Sequence, residues 1–211
     1  MLLATEGEKT EAIYFEMLRH RSREVVTVLV SAGRPGESNP TRVLKRLREE
    51  LAKMRRNRDW IEGDSAWLLV DTDRWTVSER SDVLKEQAKG DFRLAASNPC
   101  FELWLLLHFR DAWPSVAGEN LSGLLGGTDC LGTYAKASYP VEALWPRIRE
   151  AIKRAGRSDA APKSEWPSPG STRVHHAVQV ILEPAARTPW YSASNDPKAA
   201  NTKAVSVWRS D

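Results

Sequence analysis

Ala66-Trp67-Leu68-Leu69-Val70-Asp71-Thr72-Asp73-Arg74-Trp75 decides the fold class. Five consecutive apolar residues bounded by polar ones predict a strand buried on both faces of a parallel sheet. The run stops at Asp71 and Asp73, and side chains two apart on a strand point to the same side. Both carboxylates are therefore expected in one crevice, beyond the carboxyl end of the strand, where open α/β sheets bind ligands. Like charges at that spacing are costly unless a cation or a shared proton neutralises them. A divalent-metal site follows. The plainer alternative is that both aspartates cap the following turn and helix.

Upstream, Met1-Leu2-Leu3-Ala4-Thr5 reads as a first buried strand. Ile13, Tyr14, Met17 and Leu18 keep helical spacing and predict a helix from about Lys9 to Arg21. Glu6 then sits at a strand-to-helix turn, with Gly7 giving backbone freedom; as a helix-start acid it would also suit the macrodipole. Val25 to Val30 is a β-branched run, hence a second strand. Gly33 to Pro40 is a loop by composition, and Thr41 to Arg58 a helix with Val43, Leu44, Leu47, Leu51 and Met54 on its stripe. Ser78 to Lys89 makes another helix, and Phe92 to Ser97 a short strand.

Asn98-Pro99 signals the start of a helix that is apolar nearly all round to Phe109, and therefore buried. Glu102 lies in its first turn, where a buried carboxylate must be paired, protonated or metal-bound. His108, six residues on, faces elsewhere and reads as a satisfied core or surface histidine. Alternating β and α units through residue 109 give a mostly parallel sheet flanked by helices. Beyond Asp111 no further strand is expected: Pro140 to Ala155 reads as one helix, and Ser171 or Thr172 caps another running to Glu183. The division is thus a core over 1–111, a helical extension packed on it over 112–185 and an irregular or partly disordered tail over 186–211.

The 211 residues, 41% hydrophobic and 28% charged, suit a folded, soluble chain with one α/β domain and an appendage. No apolar run reaches the roughly 18 residues a membrane helix needs, and the start resembles no signal peptide. Cys100 and Cys130 have no metal-ligand spacing, so reduced thiols in a cytoplasmic protein are expected. The net charge of +3 hides an asymmetry. Arg19 to Arg58 holds twelve Lys or Arg against four acids, a local +8 suited either to polyphosphate ligands or to a solvated helix face.

Three stretches together resemble the RloB-like family of bacterial defence proteins, whose core is similar to the Toprim fold. They are Glu6-Gly7-Glu8-Lys9-Thr10-Glu11 with Tyr14-Phe15; Asp71-Thr72-Asp73-Arg74; and Ser97-Asn98-Pro99-Cys100-Phe101-Glu102-Leu103-Trp104-Leu105-Leu106-Leu107-His108-Phe109. Weaker echoes are Tyr134-Ala135-Lys136 and Pro169-Gly170-Ser171-Thr172-Arg173-Val174-His175. The resemblance covers residues 1 to about 184. It implies a Toprim-like, Rossmann-like core and a Mg²⁺- or Mn²⁺-dependent nuclease acting in prokaryotic antiviral defence, often beside an ATPase partner. Carried over by position, Glu6 is the acid/base candidate, Asp71 and Asp73 are metal ligands, and Glu102 is a further ligand.

The residue chemistry agrees with that implication. Mg²⁺ takes oxygen ligands and keeps several waters, so two or three carboxylates suffice. Lys9 would meet a substrate phosphate at a helix start. Arg34, Arg42, Lys45, Arg46, Arg74 and Lys136 would track a nucleic-acid backbone. DNA, RNA and tRNA substrates all stay open, as does homo-oligomerisation. An EF-hand fails because Thr76 stands where glycine is required. A haloacid-dehalogenase pair would follow the first strand and would not place Trp75 where it stands. No Gly-x-x-x-x-Gly-Lys-Ser/Thr loop exists for a P-loop ATPase. The chain shows no tyrosine-bearing cleavage domain and no zinc module, which argues against a topoisomerase- or primase-like transferase. The serious alternative is a non-catalytic subunit that binds nucleic acid or an ATPase and keeps a vestigial acidic site.

Overall fold

The runs that read as strands form one sheet, the second of them described from Thr27 onward with Val25 and Val26 outside the described residues. The computed structural model describes residues 1–7, 9–22, 27–30, 40–73, 75–161 and 163–183. Chain order is β1 (Leu2–Thr5), α1 (Thr10–Arg21), β2 (Thr27–Val30), α2 (Pro40–Asn57), β3 (Ala66–Asp71), α3 (Val77–Gln87), β4 (Arg93–Asn98), α4 (Glu102–Leu106), α5 (Leu121–Leu125), α6 (Ile148–Ser158), β5 (Ser171–Thr172) and α7 (Val174–Leu182). The sheet order is β2-β1-β3-β4-β5, with the first four strands parallel and β5 antiparallel to β4. The architecture is mixed α/β, a mostly parallel sheet flanked by helices. Arg34, Arg74 and the tail over 186–211 lie outside the described residues.

Strand alternation sorts the core into two layers. Leu2, Ala4, Leu68, Val70 and Ala96 pack on one face against Val43, Leu44, Leu47 and Leu51 of α2 and Val83 of α3. Leu3, Trp67, Leu69 and Ala95 pack on the other against α1, α4, α6 and α7. The segment beyond residue 111 thus shares its core with the sheet. No helix among the described residues is long and apolar enough to cross a membrane.

Three expectations are corrected. A fifth strand does follow Asp111: Ser171 and Thr172 pair with Asn98 and Ser97, a two-residue edge too short to leave a sequence pattern. The buried helix after β4 runs only from Glu102 to Leu106, and Pro99 precedes it, outside its first turn. The stripe at 140–155 is not one helix. Pro146 lacks the N–H a helix interior needs, so short 3-10 turns at Val141–Ala143 and Trp145–Arg147 precede α6.

His108 is a core histidine, as expected. Its Nδ1 lies 3.0 Å from the Trp104 carbonyl and its Nε2 3.2 Å from the Tyr14 hydroxyl. A carbonyl only accepts, so Nδ1 carries the proton and Nε2 accepts from Tyr14. Burial lowers the ring pKa to about 3, keeping it neutral. Tyr14→Phe strands Nε2 and should cost about 1–3 kcal/mol by urea denaturation, with no change in any property of the carboxylates described below.

Candidate functional site

At the carboxyl ends of β1, β3 and β4 the apolar pattern gives way to acids. Register fixes their proximity: Thr5 pairs with Leu69, and the Glu6 N–H donates to the Leu69 carbonyl at 3.3 Å. Glu6 therefore sits one strand, roughly 4.8 Å, from the end of β3. Asp71 pairs with Ser97, two residues before Pro99 in the turn that leads to Glu102. That turn is tied to β3 by Thr72 N–H and Asp73 N–H, both donating to the Pro99 carbonyl at 3.0 and 3.2 Å.

Asp71 follows Trp67 and Leu69 in parity, so it extends toward the α1 and α4 layer. Glu11, in the first turn of α1, and Glu102, at the start of α4, are both buried in that layer. Glu6 takes the other parity, beside Trp75, whose Nε1–H donates to Glu6 Oε2 at 2.9 Å. Asp73 departs from expectation. β3 ends at Asp71, so Asp73 lies in an exposed turn and not two along the same strand face.

The acids bear on one another electrostatically. Asp71 is raised well above the usual carboxylate range, by burial first, then by the charges of Glu11, Glu6, Glu102 and Asp73. Glu11 is raised to about 7, again by burial first; Glu102 and Glu6 raise it too, opposed by its own backbone N–H and by Lys136. Glu102 is the exception. Burial alone would raise it, but the hydrogen bond and charge of Lys136, helped by the Cys100 thiol, hold it below the ordinary value.

Glu11 was missed as a site residue, because an acid in a first turn reads as a dipole partner. Its carboxylate folds back over Gly7, where a Cβ would stand 2.0 Å from Glu11 Oε2. That close approach explains the glycine. Since the obstructing atoms end a flexible side chain, Gly7→Ala should cost roughly 1 kcal/mol or less while displacing the Glu11 carboxyl. Carboxyl-carbon NMR should then find Glu11 titrating well below about 7.

Two distant segments close the site. The turn at 134–139, joined by paired hydrogen bonds between Ala135 and Ser138, docks on α1: Thr10 Oγ1 donates to the Lys136 carbonyl at 3.1 Å, and the Tyr139 hydroxyl donates to the Thr10 carbonyl at 2.8 Å. It delivers Lys136 Nζ and the Tyr134 hydroxyl to Glu102 Oε1, each at 3.0 Å. The loop before β5 is gathered by Arg173, which donates to Asp159 Oδ2 at 2.8 Å and to the Ser164 carbonyl at 2.8 Å. Trp166 of that loop packs edge-on against Trp75, centroids 6.0 Å apart.

The expected backbone-tracking residues are only partly gathered here. Lys136 is in the site. Arg42, Lys45 and Arg46 are exposed on the first turns of α2. A helix joining parallel strands runs back along the sheet, so those turns lie at the same end as the acids. Lys45, Arg48 and Arg55 are paired with Glu49, Glu86 and Asp91. Lys9 occupies the N-cap of α1 and is exposed.

All the donors here are hard oxygens, the set a divalent cation such as Mg²⁺ takes. The fit differs across the site. At Asp71, with Glu6, Glu11 and Asp73 around it, excess negative charge matches a cation. Glu102 already has one in Lys136. Among the described residues no three carboxylate, imidazole or thiol groups stand ready around one point to hold a metal.

A family model described as RloB-like protein matches residues 1–181. No curated protein and no solved structure matches the chain.

Proposed function

The chain belongs to the RloB-like family, and from that premise we propose that it is a Toprim-like, Mg²⁺- or Mn²⁺-dependent nuclease hydrolysing phosphodiester bonds of RNA, tRNA or DNA. One observation carries the reading: four other acids, drawn from three segments of the chain, bear on Asp71 at the carboxyl end of a parallel sheet. A bound cation would relieve this repulsion, which supports a metal at Asp71.

Asp71 would be the principal ligand of the ion, with Asp73 and Glu11 adding negative charge beside it and waters completing the shell. When bound, a hard divalent cation lowers the pKa of a water and offsets charge building on the phosphorus oxygens. Glu6, held at Oε2 by Trp75, would take the proton of the attacking water at its carboxylate. Arg42, Lys45 and Arg46 follow the nucleic-acid backbone, a salt-sensitive contact indifferent to sequence. Antiviral defence in a prokaryotic cytoplasm, beside an ATPase partner, completes the reading and comes from the family resemblance.

A second reading draws on Lys136, which neutralises Glu102 without any metal: a non-catalytic subunit, binding nucleic acid or an ATPase, whose acidic site is vestigial. Cleavage assays on RNA, tRNA and DNA, with Mg²⁺ or Mn²⁺ and with or without the partner, separate the two. Wild-type cleavage that disappears in Glu6→Ala, Asp71→Ala and Asp73→Ala, each still folded by circular dichroism, supports the nuclease. If wild type cuts nothing under any condition while Asp71→Ala keeps its fold and partner binding, the binding subunit stands.

A further inference from the structure

The Glu102 end of the site is built differently from the Asp71 end. Glu102 has a side chain only 4% exposed, and one oxygen, Oε1, receives both the Tyr134 hydroxyl and the Lys136 ammonium. The lysine reaches it from a backbone that is pinned: its carbonyl is held by Thr10, and Tyr139 holds Thr10 in turn. Tyr134 and Tyr139 also pack against each other, centroids 5.6 Å apart. Yet the Lys136 side chain is 60% exposed. An ammonium has three donors, so with one on Glu102 the others face outward beside the acids. A buried carboxylate needs a counter-charge, and here a side chain supplies what an ion would otherwise bring.

We propose that Lys136 is the resident cation of the Glu102 side, so that the site takes one divalent ion, at Asp71, and offers the Lys136 ammonium to the phosphodiester. This rests on the nuclease reading above and deepens it. Glu102 then becomes a residue that positions Lys136, in place of the metal ligand expected from the sequence. The arrangement matches the chemistry of phosphodiester cleavage, in which positive charge is needed both where water is activated and where phosphate charge accumulates. A lysine fixed by a buried carboxylate meets the second need without a second ion.

Counting Mn²⁺ on the full chain tests this without reference to activity. The loss of the free-ion electron paramagnetic resonance signal gives ions bound per chain. Wild type should bind one ion, and Glu102→Gln should still bind one, within about threefold in affinity, a change below 1 kcal/mol. Asp71→Asn should lose that ion, weakening it by more than about tenfold. Lys136→Met, which leaves the charge of Glu102 uncompensated, should gain a second ion. The double variant Glu102→Gln with Lys136→Met, carrying neither charge, should return to one, and it serves if the single lysine variant does not fold. Two ions in wild type, a Glu102→Gln loss matching that of Asp71→Asn, or a Lys136→Met count that stays at one overturns the assignment of Lys136 while leaving the nuclease reading intact. No ion in wild type overturns the metal reading itself, and this assignment with it.

Discussion

Asp71→Asn should abolish cleavage and, without divalent cation, raise the melting temperature. Asparagine keeps the shape of the side chain and removes the charge. Losses on the order of 10²–10³-fold accompany removal of one preorganised electrostatic contact, and loss of an ion's principal ligand should exceed them. Stability moves the opposite way because Asp71 is repelled by Glu11, Glu6, Glu102 and Asp73, and is desolvated as well. Neutralising it relieves both costs. Added Mg²⁺ should stabilise wild type and leave Asp71→Asn unmoved, because only a species that binds the folded state shifts the unfolding equilibrium. Thermal melts with EDTA and with Mg²⁺ measure all four states. A lower melting temperature for Asp71→Asn in EDTA would show the acid to be structural.

The second large effect is a pH-dependent stabilisation by Glu11→Gln. Glu11 titrates at about 7 in the folded chain against 4.5 for the unreacted group. Between those values the folded state holds a proton that the unfolded state has released, so stability falls as pH rises from about 4.5 and levels off above about 7. The difference amounts to about 3 kcal/mol. His108 and His175, lowered to about 3 and about 4 by burial, contribute in the opposite sense over an overlapping range. They act alike in both proteins and cancel in the difference. Urea unfolding in EDTA should therefore find Glu11→Gln the more stable by up to about 3 kcal/mol at pH 8, with the gap closing near pH 4. A gap independent of pH would mean that the carboxyl is not buried among like charges.

Much of the fold was legible because strands and helices wrote their periods into the chain. Leu68-Leu69-Val70 between polar ends and the Val43-Leu44-Leu47-Leu51 stripe each admitted one reading, and the elements follow. The failures have local causes. A helix apolar all round carries no period, so the short extent of α4 was hidden. Pro146 was outvoted by the apolar stripe around it, and Ser171-Thr172 is too short a strand to show alternation. In the site, Glu6 and Asp71 stood out as acids abruptly ending apolar runs. Asp73 was given a strand position that β3 does not extend to supply. Glu11 was masked by an ordinary role in a first turn. The pairing of Glu102 with Lys136, like that of Glu6 with Trp75, joins residues far apart in the chain, and no local pattern encodes such a pair.

The order in which these groups occur has a consequence during synthesis. Glu6, Asp71 and Glu102 leave the ribosome well before Lys136, whose turn seats on α1 through Thr10 and Tyr139. A chain ending near residue 111 carries Glu6, Glu11, Asp71, Asp73 and Glu102 but lacks both the lysine that balances Glu102 and the helices that complete the core. On the proposed nuclease reading, chains that stop before the 134–139 turn are therefore expected to be inert in cleavage assays.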